Sequence, residues 1–337
     1  MKVLFIGGTG TISSAVSALA VKKGFELYLL NRGNYSEFMP AGAKIIKGDI
    51  RNVEETRKIL KDYKFDVVVD WIAFNPDHIK TDIRLFKNKV DQFVFISSTA
   101  CYQRPVTHYY MDESTPLCNP YWDYAQDKIS CEDLLMKEYR ENGFPVTIVR
   151  PSYTYGVTSI PHTINSRKSR WTIIDRMRKG KKIIVPGDGT SLWTITHNTD
   201  FAKGFVGLLG NIQALGHAFH ITSDEVLNWN QITYAIGKAA GAKPDIIHIP
   251  SDFISAFAPE LKGGLLGDKS ESVVFNNSKI KRFVPDYKAN VPFATGIKWS
   301  LEYFESKPEL CWVDEEFNSL MDKIIGAYET GLKIAND

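Results

Sequence analysis

Tyr124 and Lys128 stand four residues apart in the run Tyr124-Ala125-Gln126-Asp127-Lys128. On a helix that spacing places both side chains on one face, a turn apart. A free phenol titrates near ~10 and is a poor base at neutral pH. A neighbouring ammonium favours the phenolate. Lowering the phenol by about 3 units takes roughly 4 kcal/mol of differential stabilisation, much of which one close cation in a dry cleft supplies. A tyrosine tuned in this way can accept a hydroxyl proton as hydride leaves the same carbon, or run the reverse step.

The pair alone is a weak signal, since Tyr-x-x-x-Lys occurs on many solvated helices. Two flanking segments strengthen it. Upstream, the apolar run Phe93–Ile96 ends in Ser97-Ser98-Thr99, which offers hydroxyls. Downstream, Val146–Val149 runs into Arg150-Pro151 and then Tyr155-Gly156. Near the start, Val3–Ile6 leads directly into Gly7-Gly8-Thr9-Gly10-Thr11-Ile12-Ser13. Glycines at such a strand–helix turn let the backbone approach a pyrophosphate, which the helix N-terminus then stabilises. Ser13 stands where a third glycine normally serves close packing, and serine is small enough to fit. The residue that reads the adenosine ribose is expected 21 residues after Gly10. Asn31-Arg32 is found there instead of an acid. A guanidinium suits a 2′-phosphate, so NADP is favoured slightly over NAD.

These residues need a frame to hold them. Val3–Ile6, Glu26–Leu30, Lys44–Lys47, Val67–Asp70, Gln92–Ile96 and Val146–Val149 read as strands buried on both faces of a parallel sheet. Between them Ser13–Lys23, Val53–Lys61, Pro76–Lys87 and Tyr121–Glu141 can carry crossover helices. The alternation predicts a doubly wound α/β sheet. After Pro151 the regularity fades. Ser152–Arg170 reads as an ordered loop lining a cleft, Trp171–Lys179 and Thr199–Leu209 as helices, and Glu315–Tyr328 as a terminal helix. The division predicted is a dinucleotide-binding domain over residues 1–165, with a return segment at 195–222, and a mainly substrate-binding lobe over 166–337.

Composition narrows the partners. The chain has 337 residues, 44% apolar and 24% charged, with a net charge of +2. That is ordinary globular composition, with no electrostatic reason to expect nucleic acid or an anionic membrane. No stretch approaches the roughly 18 apolar residues of a membrane span. Cys101, Cys118, Cys131 and Cys311 form no CxxC pair and read as reduced thiols of a cytoplasmic protein. The seven histidines show no metal-ligand spacing, so no metal is expected. Trp122, Trp171, Trp229, Trp299 and Trp312 read as packing residues, and Lys279-Ile280-Lys281-Arg282 as solvated surface.

Together, Gly7-Gly8-Thr9-Gly10, Gly48-Asp49-Ile50, Ser97-Ser98-Thr99, Pro120-x-x-x-Tyr124-x-x-x-Lys128 and Arg150-Pro151 resemble the extended short-chain dehydrogenases, the NAD-dependent epimerase/dehydratase-like group. The resemblance is good over about residues 1–160 and weak beyond. It implies a Rossmann-type fold with a smaller C-terminal α/β lobe. It also implies that Ser98 holds the substrate oxygen and that Lys128 bonds the nicotinamide ribose as well as serving Tyr124. Asp49 and Ile50 would flank the adenine and Ala73 would line the cofactor groove. Gly7, Gly10, Thr11, Ile12, Asn31, Arg32 and Pro151 complete the implied cofactor set. Three departures bear on the reaction. Thr99-Ala100 replaces the Asp-Glu pair with which the 4,6-dehydratases eliminate water. Tyr153 stands for an Asn, and Trp193 for an Arg, that hold a nucleotide diphosphate. Thr99, Tyr153 and Trp193 are thus the expected substrate contacts, with Arg167, Arg170 or Lys181 able to supply a phosphate site from another direction. The implied activity is that of an epimerase or oxidoreductase on a sugar-like substrate, possessing or lacking a nucleotide. A carbonyl reductase and a non-catalytic NAD(P) sensor are the alternatives. A homodimer through 121–141 and 76–87 is also implied.

Overall fold

Continuous apolar runs fix the first strands, because a strand covered on both faces has no polar side to alternate with. In the computed structural model, which describes residues 1–33 and 37–336, these are Lys2–Ile6 (β1), Glu26–Asn31 (β2), Lys44–Lys47 (β3), Val67–Asp70 (β4) and Gln92–Ile96 (β5). A short strand, Tyr110–Met111 (β6), precedes Val146–Pro151 (β7). The helices between them are Ser13–Lys22 (α1), Val53–Ile59 (α2), Pro76–Phe86 (α3) and Asp123–Asn142 (α4). Two begin on asparagine caps: Asn52 Oδ1 accepts from Glu55 N–H at 3.3 Å, and Asn75 Oδ1 from His78 N–H at 3.1 Å. Pro76 opens α3, where its missing N–H costs nothing.

Beyond β7 come Tyr153–Tyr155 (β8), Thr172–Arg178 (α5), Lys182–Pro186 (β9), Leu192–Trp193 (β10), Ile195–His197 (β11), Asn198–Leu208 (α6) and Ala218–Ile221 (β12). The large sheet has seven strands in the order β12-β7-β5-β4-β1-β2-β3, all parallel. The α/β class and the parallel sheet are those the sequence predicts. The strand order reverses between β1 and β4, so a crevice opens at their carboxyl ends, where ligands bind in such sheets.

One face of the sheet packs Val3, Phe5, Leu27, Val69 and Val94 against Val16 and Ala20 of α1 and Phe201 and Phe205 of α6. The other packs Leu4, Ile6, Val68 and Phe95 against Ile79 of α3 and Leu135 of α4. The segment from β11 to β12 thus returns to the large sheet, adding a helix beside α1 and an edge strand beside β7. A second core gathers Trp171, Ile174, Ile183, Trp193, Trp229, Ile232 and Ile297. There β9 pairs in parallel with Asp245–Ile249.

Ser152–Arg170 is not wholly a loop: β8 pairs with β11 in the register Tyr153↔Ile195. Three residues are too few to show a period. The terminal helix runs from Glu315 to Asn336, past Tyr328. Among the described residues no helix is long and apolar enough to cross a membrane.

Candidate active site

The glycine turn sits at the mouth of the crevice. Gly7 and Gly8 adopt φ of +93° and +100°, the left-handed region that other residues resist. A Cβ on Gly8 would lie 2.7 Å from Leu29 and 3.3 Å from Phe5, so the close approach to the strands falls at Gly8. Ser13 has a different role. Its hydroxyl accepts the Gly10 N–H at 2.9 Å, and Ser17 donates to Gly8 O at 2.7 Å. From the return segment, Asn198 Nδ2 donates to Thr11 O at 2.6 Å.

A groove of about 640 Å³ runs from this turn. Gly7, Gly10, Thr11 and Ile12 form its floor, and Asn31, Arg32, Asp49 and Ile50 line one end. Tyr124, Lys128 and Pro151 line it as well, with Trp71, Ile72 and Phe74 along the wall. A bare glycine cradle at a helix start, continuous with a long groove, fits a dinucleotide. Ala73 is a correction. Its side chain is buried in the core below β4 and β5, and only its carbonyl reaches the site. In the turn that follows β4, Trp71, Ile72 and Phe74 face the groove instead.

Tyr124 and Lys128 occupy the first turns of α4, with Lys128 Nζ 5.8 Å from the centre of the Tyr124 ring. Lys128 is almost fully buried. Its ammonium donates to Ala73 O at 2.6 Å and Ile96 O at 2.7 Å and lies 4.9 Å from the ring centres of Phe74 and Phe95. Burial lowers its pKa to about 8. The Tyr124 phenol is pushed up to about 12, mainly by burial and then by nearby Cys101, with a hydrogen bond from Ser98 pulling the other way. From its spacing alone, Lys128 is expected to lower that phenol. In the structure two carbonyls hold the ammonium and burial dominates, so the phenol keeps its proton at neutral pH.

Beyond Tyr124 a recess of about 270 Å³ is walled by Ser98, Thr99, Trp122, Ser152, Tyr153, Asp268 and Lys269. Ser98 Oγ accepts the Ala100 N–H at 3.1 Å. A further hollow of about 130 Å³ continues past Trp122 and Tyr153 to His162, Asn165, Arg167 and Arg170. Asn165 Oδ1 is buried there without a hydrogen-bond partner among the described residues. Ser98, Thr99 and Tyr153 therefore meet at one mouth, and Trp193 does not. Trp193 is 1% exposed and stacks on Trp229 with ring centres 5.6 Å apart, a packing residue of the second core. Trp122 reverses in the opposite sense, with its ring 5.0 Å from that of Tyr124 and walling both hollows. Arg167 and Arg170 reach the cleft, whereas Lys181 pairs with Asp322 at 3.0 Å elsewhere.

Asp268 and Lys269 were missed by sequence reasoning. They end a turn of π-helix, Leu265–Lys269, a distortion frequent at functional sites. The only signal was a glycine-rich stretch, Gly263-Gly264 and Gly267, with no motif. Lys269 Nζ bonds Asp268 at 3.0 Å and lies 5.5 Å from the Tyr153 ring centre. Among the described residues no three His, Cys, Asp or Glu side chains gather as metal ligands do.

Several known proteins are similar to this chain in sequence or fold. The Chloroplast stem-loop binding protein of 41 kDa b of Arabidopsis thaliana is 26% identical over 269 residues, 75% of this chain and 67% of that protein. The UDP-glucose 4-epimerase of Lactobacillus helveticus is 24% identical over 310 residues, 83% of this chain and 90% of its own length. Among solved structures, an epimerase of Methanothermobacter thermautotrophicus superposes with a TM-score of 0.74 at 18% identity, covering 92% of this chain and 94% of that one. The UDP-glucose 4-epimerase of Thermotoga maritima, solved with UDP-glucose, gives 0.73 at 19% identity over 91% of this chain and all of the other. At such identities these two structures speak for the fold. Residues 3–222, more than half of the chain, match the NAD dependent epimerase/dehydratase family, and to that family the chain belongs.

Proposed function

We propose that this chain is an epimerase or oxidoreductase acting at a hydroxyl-bearing carbon of a sugar-like substrate. One observation carries the reading: Tyr124 lines both the glycine-floored groove and the recess beside Ser98. A phenol shared by the two hollows can exchange a proton with a substrate in one while facing a cofactor in the other. A nicotinamide dinucleotide bound in the groove would supply hydride transfer. The remaining work falls to the chain's own residues. The Ser98 hydroxyl steadies the substrate oxygen, and Tyr124 gives that oxygen a proton or takes one from it. A phenol that keeps its proton at neutral pH can give it to a carbonyl oxygen. Lys128 presents its charge from beneath, and Trp122 and Tyr153 offer ring faces on which a sugar can stack.

Thr99-Ala100 supplies no carboxyl pair beside Ser98, so elimination of water lacks its acid and base. UDP-glucose epimerases among the similar proteins support a sugar substrate, with or without its nucleotide. Arg32 at the adenosine end supports acceptance of a 2′-phosphate, and hence NADP as well as NAD. The Arabidopsis relative is named for stem-loop binding, but a net charge of +2 gives no electrostatic case for carrying that property over. A homodimer through α3 and α4, which pack side by side, completes the proposal.

The test is to incubate the protein with NAD or NADP and with UDP-glucose, UDP-galactose, glucose or galactose. Reduced-nicotinamide absorbance and the sugar products are followed together. A new sugar without a net absorbance change marks an epimerase, and one with a matching change marks an oxidoreductase. Tight dinucleotide binding with no conversion of any sugar or simple carbonyl compound would defeat the proposal in favour of a sensor.

A further inference from the structure

We propose that Asn198 is a positioning residue for the dinucleotide groove, a clasp that fixes the Thr11–Ile12 peptide so that its N–H faces a bound pyrophosphate. The inference rests on the groove reading above and names a residue of the return segment that serves it. Asn198 is the first residue of α6, directly after β11. It is buried, and its Nδ2 donates to Thr11 O at 2.6 Å, from a position 187 residues further along the chain.

Strand register brings the amide there. β8 and β11 pair with Tyr155 opposite His197, so the residues that follow, Gly156 and Asn198, also meet. A Cβ on Gly156 would lie 2.3 Å from Asn198 Nδ2 and 2.8 Å from its Cγ, so glycine leaves the room that the amide occupies. The Gly156 carbonyl is itself held, accepting from Ser159 N–H at 2.9 Å and from the buried Ser300 hydroxyl at 3.2 Å. Thr158 Oγ1 lies 3.3 Å from Thr11 Oγ1. Thr11 is thus held at two atoms, its carbonyl by Asn198 and its hydroxyl by Thr158.

A helix N-terminus binds an anion through N–H groups that have no partner within the helix. Those groups are useful only when they are aimed. The glycines that let the backbone approach a phosphate also leave the turn free to rotate its peptides. In a trans peptide the C=O and the N–H point in opposite directions. Holding the Thr11 carbonyl on Asn198 therefore turns the Ile12 N–H away from Asn198, and both Thr11 and Ile12 line the groove. Ser13 and Ser17 hold the same turn from within α1. Asn198 holds it from outside. An apolar side chain would fill the space beside Gly156 as well, but it would leave the Thr11 carbonyl without its donor, so the amide has a role beyond packing.

The experiment measures NAD binding by calorimetry for wild type, Asn198→Leu and Asn198→Ala. Leu keeps the volume of the amide, Ala suits the start of a helix, and neither can donate. Urea unfolding of each variant runs alongside. The Ile12 amide is followed by NMR of protein carrying isotope-labelled isoleucine, its signal assigned with Ile12→Val. Both variants should bind NAD roughly tenfold more weakly, as expected for the loss of one bond to a charged group. In wild type, saturation with NAD should move the Ile12 amide signal downfield, as an N–H that bonds a phosphate does, and in the variants it should move much less. A purely structural role for Asn198 would leave that signal moving alike in all three. Variants that bind NAD within about twofold of wild type, short of one hydrogen bond, would overturn the proposal. So would a wild-type Ile12 signal that stays in place on binding, a result that needs no variant to fold. If wild type binds no NAD at all, the groove reading fails and this proposal with it, whereas binding that the variants match sinks this proposal alone.

Discussion

Replacing Lys128 with Met should remove a buried charge at little net cost in stability and sharply lower turnover. The drop of the ammonium from 10.5 to about 8 corresponds to about 3 kcal/mol of desolvation cost. Met is close in shape and carries no such cost, but it leaves Ala73 O and Ile96 O without their donor. Two unmade bonds to buried carbonyls cost about 1–2 kcal/mol each. At pH 7 the two effects nearly cancel. They separate with pH. Between pH 8 and 10.5 the folded lysine has shed a proton that the unfolded chain still binds, so wild-type stability rises with pH across that window. A neutral amine still donates to the carbonyls, so the Met variant gains nothing there. Urea unfolding followed by tryptophan fluorescence at pH 7 and pH 10.5 should show the variant close to wild type at the lower pH and about 3 kcal/mol less stable at the higher. A stability difference that does not change with pH would refute the reasoning. Turnover at pH 7 should fall by about 10²–10⁴, the usual worth of positioned proton transfer.

Arg32→Ala should raise KM for NADP about tenfold and leave that for NAD within about twofold, the worth of a charge-assisted pair to the 2′-phosphate; steady-state kinetics with both cofactors decides. Trp122→Ala should raise KM for the substrate several-fold with little change in stability, whereas Trp193→Ala should lower stability by about 3–5 kcal/mol, as large buried truncations do. The reverse pattern in denaturant melts and kinetics would return Trp193 to the substrate site. Light scattering at micromolar concentration should give twice the chain mass, and a monomer would retire the α3–α4 interface.

How much of this was legible in the sequence depends on the range of the interactions. The strands of the large sheet are readable because burial on both faces makes them apolar end to end, as in Val3–Ile6 and Val67–Asp70. Tyr124 and Lys128 share a face by helical spacing alone. The second hollow was harder to read, because Lys269 comes to Tyr153 across more than a hundred residues and by a turn of π-helix with no period of its own. Trp193 and Trp122 were read the wrong way round for the same reason: an indole's surroundings are set by tertiary packing, and residue type is silent about it. Lys128 shows the limit most clearly. Its spacing from Tyr124 is plain, but the two carbonyls that hold its ammonium belong to the end of β5 and to the turn after β4.

The central claim is that Tyr124 exchanges the proton at a site shared with the dinucleotide groove. Comparing Tyr124→Phe with wild type, by calorimetry for NAD(H) and by turnover on the best substrate, tests it most directly. Cofactor affinity should stay within about threefold and turnover should fall by about 10²–10⁴. Undiminished turnover in the Phe variant would contradict it.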